Sequence, residues 1–117
     1  MKDFKKYFPL PLKLDEPPYS SYAWTNKGDM ALTFDDDVMR EEALAIVDTI
    51  NGEANETIPN LKFDGVDFFD GDTYIFCIRG WGNLTGIGGH NFSHERAEKI
   101  QDAFRDYVYE QLKGKDE

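Results

Sequence analysis

The alternation of apolar and polar positions along the chain predicts two β-hairpins. Residues 22–25 and 30–34 are short runs of β-forming and apolar residues separated by a polar turn at 26–29. A second pair of runs, 61–69 and 73–79, is joined through the turn dipeptide Asp70-Gly71, and Gly65 indicates a bulge in the first of them. Because residues 74–78 are apolar at both parities, we predict that this strand is internal and covered on both faces.

Apolar residues at helical spacing predict two helices. The first follows the triplet 35–37, three aspartates that we expect to provide the N-cap, and it ends at Asn51-Gly52. The second has Ser93 as its N-cap and an apolar stripe through residues 97–112, with Gly114 as its stop.

The order of these elements predicts an α+β fold of two hairpin–helix units, ββαββα, with a four-stranded antiparallel sheet and two helices on one face. Residues 1–21 hold four of the five prolines and the alternating Leu10, Leu12 and Leu14. We therefore expect an extended N-terminal arm lying on a single domain of residues 22–117. The arm or a partner subunit would cover the second face of the sheet.

The charge of the chain restricts its partners. The sequence has 23 acidic and 13 basic residues, a formal net charge of −10 at pH 7. Repulsion from phosphate argues against direct binding to nucleic acid or to an anionic membrane, whereas a basic protein partner is compatible. The arm differs from the body, because residues 1–13 carry four lysines and one aspartate.

The single cysteine and the shortness of the apolar runs favour a cytoplasmic location. Cys77 cannot form an internal disulfide, and its apolar neighbours predict a buried, inert thiol that suits a reducing cytoplasm. Pro9 and Pro11 interrupt the N-terminus before any apolar run develops, which argues against a signal peptide. No run is long enough to span a bilayer, so we expect a cytoplasmic protein.

The glycine-rich segment 80–89 is the main candidate for a binding site. It holds five glycines between a predicted central strand and a capped helix, where free backbone N–H groups can bind an anion. The dinucleotide-binding pattern fails because position 85 is Thr, and no Gly-Lys-Ser/Thr follows. The segment is either a structural loop or a recognition loop anchored by its tryptophan. The candidate binding residues are Trp81, Gly82, Asn83, Thr85, Gly86, Gly88, Gly89 and His90.

Other motifs do not indicate a metal, a cofactor or catalysis. His90 and His94 are four residues apart, but position 91 is Asn where a zinc protease motif needs Glu. The aspartates of the second hairpin lack the spacing of a calcium loop and are explained by turns. The sequence contains no nucleophile elbow and no Cys-His pair close in sequence, so we assign no catalytic residue, metal ligand or cofactor.

Two stretches resemble a known group of proteins. They are the hairpin and helix of residues 22–52, with Gly28-Asp29-Met30-Ala31, and the run of residues 79–86, followed by Ile100-Gln101-Asp102. Both are similar to small uncharacterised proteins carried by bacterial phages and other mobile elements. The resemblance implies a bacterial cytoplasmic accessory protein with a role in interaction or regulation, and it assigns no functional residue.

Three functional hypotheses follow from the sequence. The first is a non-enzymatic interaction or regulatory module that binds a protein partner, a basic one by charge, through the glycine-rich segment. The second is a small-ligand or anion-binding domain, with or without catalysis, that uses the same segment. The third is an acidic inhibitor that imitates nucleic acid. A homodimer is compatible with each of them.

Overall fold

One antiparallel sheet carries both helices. The computed structural model describes residues 8–78 and 93–113. The strands are β1 (Lys13–Leu14), β2 (Tyr22–Trp24), β3 (Met30–Phe34), β4 (Leu61–Phe63), β5 (Asp67–Asp70) and β6 (Thr73–Cys77), and the helices are α1 (Arg40–Ile50) and α2 (His94–Lys113). In space the strands follow the order β1-β2-β3-β6-β5-β4, and each neighbouring pair is antiparallel.

The sheet has six strands, so the predicted four-stranded sheet is wrong. One additional strand comes from the arm, where Lys13 pairs with Trp24 and Leu14 pairs with Ala23. The apolar alternation of the arm predicted an extended chain but contained no signal for the strand with which it pairs. The α+β class and the two helices of the prediction are confirmed.

The other additional strand arises because the predicted run 61–69 is broken by a turn. The side-chain Oδ1 of Asp64 accepts hydrogen bonds from the backbone N–H of Val66 at 2.9 Å and of Asp67 at 2.7 Å. Gly65 has a φ of 106°, a conformation that favours glycine. These contacts reverse the chain, so Gly65 belongs to a turn between β4 and β5 rather than to the expected bulge.

Strand β6 is internal, as predicted, because it lies between β3 and β5. Phe76 of β6 packs against Phe34 on one side and Phe68 on the other, with ring centroids 5.5 Å and 4.5 Å apart. Phe63 continues this aromatic row at 4.4 Å from Phe68 and contacts Tyr109 of α2 at 6.1 Å. The row identifies the face of the sheet on which α2 packs.

Helix α1 begins at Arg40, later than predicted. Its N-cap residue is Met39, which makes no side-chain capping hydrogen bond. The expected N-cap triplet is therefore wrong: Asp35 accepts a hydrogen bond from the N–H of Asp37 at 3.2 Å, which forms a turn before the helix. The predicted stop is confirmed, since the helix ends before Asn51 and Gly52 has a φ of 83°.

Helix α2 has the predicted start and the predicted buried stripe. The Ser93 hydroxyl accepts a hydrogen bond from the N–H of Arg96 at 3.2 Å. Phe104 is fully buried, and the Tyr107 hydroxyl donates to the carbonyl of Ile50 at 2.9 Å, which joins the two helices. The predicted stop at Gly114 lies outside the described residues.

The arm completes the core on the helix side. The ring of Phe8 stacks on that of Phe104 with centroids 4.3 Å apart, and Leu12 and Leu14 are buried in the same hydrophobic cluster. Cys77 is also buried, as its neighbours predicted. Neither α1 nor α2 is long and apolar enough to cross a membrane, and no other helix occurs in the described residues.

Candidate functional site

A groove of about 940 Å³ lies between the arm and α1. Its walls are residues 11–16 of the arm, the end of β2 with the following turn, and one face of α1. The helix residues that line it include Arg40, Leu44, Asp48 and Asn51, which recur at intervals of three or four and so share one face. We call this surface the arm–helix groove.

Asn51 fixes one end of the groove. Its Oδ1 accepts a hydrogen bond from the N–H of Leu12 at 2.7 Å, and its Nδ2 donates to the carbonyl of Leu12 at 2.9 Å. The side-chain amide thus pairs with both backbone groups of one residue, as a neighbouring strand would. This contact holds the arm against the C-terminal end of α1.

Arg40 fixes the other end. Its Nη1 donates to the carbonyl of Asp15 at 2.6 Å and also to the carbonyl of Tyr19. The guanidinium group therefore joins the first turn of α1 to two points of the arm. Because both acceptors are backbone carbonyls, Arg40 fixes the position of the arm main chain, and these contacts do not depend on which side chains residues 15 and 19 carry.

Asp15 connects the arm to β2. Its carboxylate accepts hydrogen bonds from Trp24 Nε1 at 2.7 Å and from the N–H of Tyr22 at 3.0 Å, and its own N–H donates to the carbonyl of Tyr22 at 3.0 Å. Both carboxylate oxygens are engaged, so Asp15 has a structural role. The indole of Trp24 is held in the groove wall by this contact.

Leu44 is the exposed apolar side chain of the groove wall, with 42% of its surface exposed. Two further exposed apolar residues are connected to Arg40 but do not line the groove: Met39 precedes it in the chain, and Tyr19 accepts a hydrogen bond from it through its carbonyl. An exposed apolar group in a concave surface is typical of binding sites.

Carboxylates border the apolar surface. Asp48 and Glu53 line the groove, and neither they nor Glu41 has an ion-pair partner among the described residues. Glu16 is paired with Lys13 at 2.9 Å, and the hydrogen bond from this lysine holds the pKa of Glu16 below its usual value. The lining also contains the basic Lys13 and Arg40, so its four acidic residues, Asp15, Glu16, Asp48 and Glu53, leave a net charge of −2.

A second polar cluster lies between α2 and the end of β6. The buried Arg105 donates from Nε to the carbonyl of Ile78 at 3.0 Å and from Nη1 to Asp102 at 3.0 Å. One turn earlier, Gln101 is 1% exposed, and neither its amide oxygen nor its amide nitrogen has a hydrogen-bond partner among residues 8–78 and 93–113. The arginine contacts satisfy a strand end, which is a structural role.

The binding residues predicted from the sequence lie outside the described residues. They are Trp81, Gly82, Asn83, Thr85, Gly86, Gly88, Gly89 and His90. The side chain of His94 is not described either, although the residue begins α2. Within residues 8–78 and 93–113, no three His, Cys, Asp or Glu side chains come together in a way that could hold a metal ion.

Sequence reasoning missed the arm–helix groove. One local signal was present: Leu44 departs from the buried stripe formed by Ala43, Ile46 and Val47 and shares its helix face with charged residues. A single exposed apolar residue is common on protein surfaces, so this signal alone did not identify a site. The arm contacts carried no such signal, because Asn51 and Leu12 are 39 residues apart.

Comparisons with family models, curated proteins and solved structures gave no match to this chain. The resemblance to proteins of phages and mobile elements therefore stays a prediction.

Proposed function

We propose that the protein is a non-enzymatic interaction module that binds a cationic segment of a partner protein in the arm–helix groove. The main support is that an exposed leucine, Leu44, lies in a concave surface together with Asp48 and Glu53, which have no ion-pair partner among the described residues. The functional class is that of the leading sequence hypothesis, but the surface differs from the glycine-rich segment.

The groove has the two components of a specific protein interface. Leu44 provides exposed apolar area in the groove, whose removal from water on binding contributes about 25 cal/mol per Å². Asp48 and Glu53 attract lysine or arginine and penalise acidic competitors. The bonded network of Asn51, Arg40 and Asp15 holds the walls, so little ordering is needed on binding.

Charge also favours a different partner over a second copy of the chain. Two molecules with a net charge of −10 each repel one another, and association through this groove would bring both sets of carboxylates together. A cationic partner removes that repulsion and is steered toward the groove.

The test uses two matched variants. Leu44→Lys changes an apolar side chain that is 42% exposed in the groove, and Val66→Lys makes the same kind of change at one that is 39% exposed in the turn between β4 and β5. Peptides selected from a displayed random library against the wild-type protein are measured by calorimetry against both variants.

We expect the selected peptides to be rich in lysine or arginine together with apolar residues. Leu44→Lys should weaken their binding by about 1.5–2 kcal/mol or more, as for a central interface residue, while Val66→Lys should leave it nearly unchanged. Equal binding to both variants, or a selection that yields acidic peptides, would contradict the proposal.

A further inference from the structure

We propose that the segment bound in the arm–helix groove is an amphipathic helix whose apolar stripe is flanked by lysine or arginine, and not a strand added to the sheet. This inference rests on the proposed function and specifies the partner. It follows from two observations: the edge of β1 beside the groove is already closed, and α1 presents an apolar residue between two carboxylates.

The backbone of the arm shows that the edge is closed. The N–H of Asp15 donates to the carbonyl of Tyr22, so the alternation of an antiparallel ladder turns the peptide groups of Leu12 and Leu14 away from β2. Asn51 occupies both groups of Leu12. The regular ladder ends at Asp15, because its carbonyl accepts from Arg40 while the N–H of Tyr22 donates to its carboxylate.

An added strand therefore finds too little backbone to bind. Between Asn51 and the end of the ladder at Asp15, the alternation leaves the peptide group of Leu14 facing outward, whereas strand addition relies on a row of main-chain hydrogen bonds. Displacing Asn51 would leave the backbone of Leu12 without its partners, at a cost in free energy. The groove must bind its partner through side chains.

The side chains of α1 suit a helix. Glu41 and Asp48 are three and four residues from Leu44, so each is its neighbour on the surface of α1, although only Leu44 and Asp48 of the three line the groove. Arg40 is also a neighbour of Leu44, and its guanidinium group is bound to the carbonyls of Asp15 and Tyr19. Glu41 is exposed, and neither carboxylate has an ion-pair partner in the described structure. A helix packed along α1 would place an apolar stripe on Leu44 and basic residues opposite the two carboxylates.

The test compares peptides of identical composition, made of leucine and lysine and about 18 residues long, so that a helix can form. In one peptide the leucines follow helical spacing, and in its isomer they alternate with lysine as in a strand. A third peptide keeps the helical spacing but replaces lysine with glutamate. Binding to the intact chain is measured by fluorescence anisotropy at physiological salt.

Two variants separate binding in the groove from general attraction to an acidic surface. Asp48→Asn removes a carboxylate of the groove, and Asp106→Asn removes an exposed carboxylate of α2 that does not line it. We expect the helical isomer to bind about tenfold more tightly than the alternating isomer. Its affinity should fall several-fold with Asp48→Asn and about tenfold with Leu44→Lys, and stay unchanged with Asp106→Asn.

The outcomes distinguish this inference from the proposed function. If the alternating isomer binds as tightly as the helical one and both depend on Leu44, the groove binds cationic peptides but the helical partner is wrong. If no peptide depends on Leu44, both proposals fail. Tighter binding of the glutamate peptide would also overturn both.

Discussion

The amide of Asn51 gives the most direct test of how the arm is held. Asn51→Ala removes the hydrogen bonds to the N–H and the carbonyl of Leu12, which are 2.7 Å and 2.9 Å long. Alanine suits the backbone at this position, because the φ of −77° and ψ of −7° are helical. The change therefore isolates the side-chain contact, and any loss of stability comes from the arm.

The magnitude follows from the two hydrogen bonds. Each bond between neutral groups contributes about 1 kcal/mol net, and a backbone group left unpaired costs more when water cannot reach it. The two hydrogen bonds to the backbone of Leu12 are only partly buried, so water can replace part of them. We therefore expect Asn51→Ala to lower the free energy of unfolding by about 2 kcal/mol. Asn51→Asp keeps an acceptor for the N–H but loses the donor to the carbonyl, so about half of this loss or more is expected.

Urea denaturation of the wild-type protein and the variants measures these differences. Asn55→Ala is the matched control, because Asn55 is exposed in the loop after α1, and its substitution should change stability by less than about 0.5 kcal/mol. Hydrogen exchange provides a local readout, since the amide of Leu12 should lose protection in Asn51→Ala. If stability and exchange at Leu12 match the wild type, the clamp does not hold the arm, and the closed edge is not a feature of the protein in solution.

Three further predictions concern the remaining polar contacts. Gln101→Met should raise the free energy of unfolding by about 1 kcal/mol in a urea melt, because it replaces a buried amide that has no hydrogen-bond partner in the described part of the chain; destabilisation would show that the amide is bonded. Arg105→Met should lower stability by about 2 kcal/mol, since the carbonyl of Ile78 loses its donor, and an unchanged melt would refute this contact. The hydrogen bonds from the N–H groups of Asp67 and Val66 lower the pKa of Asp64, so its contribution is present above the usual aspartate pKa and is lost as the pH falls through the lowered value. Melts across acidic pH should therefore show a shallower decline for Asp64→Asn than for the wild type, and parallel curves would contradict the assignment.

Local signals in the sequence predicted the elements that depend on neighbouring residues. The first hairpin, the turn at Asp70-Gly71, the stop of α1 and the Ser93 cap of α2 all arise from contacts within a few residues. The split of the predicted third strand also had a local signal, because Asp64-Gly65 is the same kind of turn dipeptide as Asp70-Gly71. The apolar residues on either side of it favoured a continuous strand. In the structure, however, the Asp64 carboxylate accepts hydrogen bonds from the backbone N–H groups of Val66 and Asp67, and the chain turns there.

Long-range contacts account for what the sequence did not predict. The arm was expected to be extended, but its position on the body depends on distant contacts, such as that of Asn51 with Leu12 across 39 residues. The groove exists only because this contact and that of Arg40 with Asp15, across 25 residues, hold the arm beside α1. Composition and periodicity contain no information on such pairs, so the sequence could indicate Leu44 but not the surface around it.

The two edges of the sheet are protected by different means, and this bears on how the protein associates. Beside β1, Asn51 and Arg40 occupy backbone groups that a strand of another molecule would need. At the opposite edge, β4 has only three residues and carries the exposed Lys62, whose charge opposes pairing with another strand. Since both edges of the described sheet resist strand addition, the binding that we propose for the arm–helix groove has to operate through side chains.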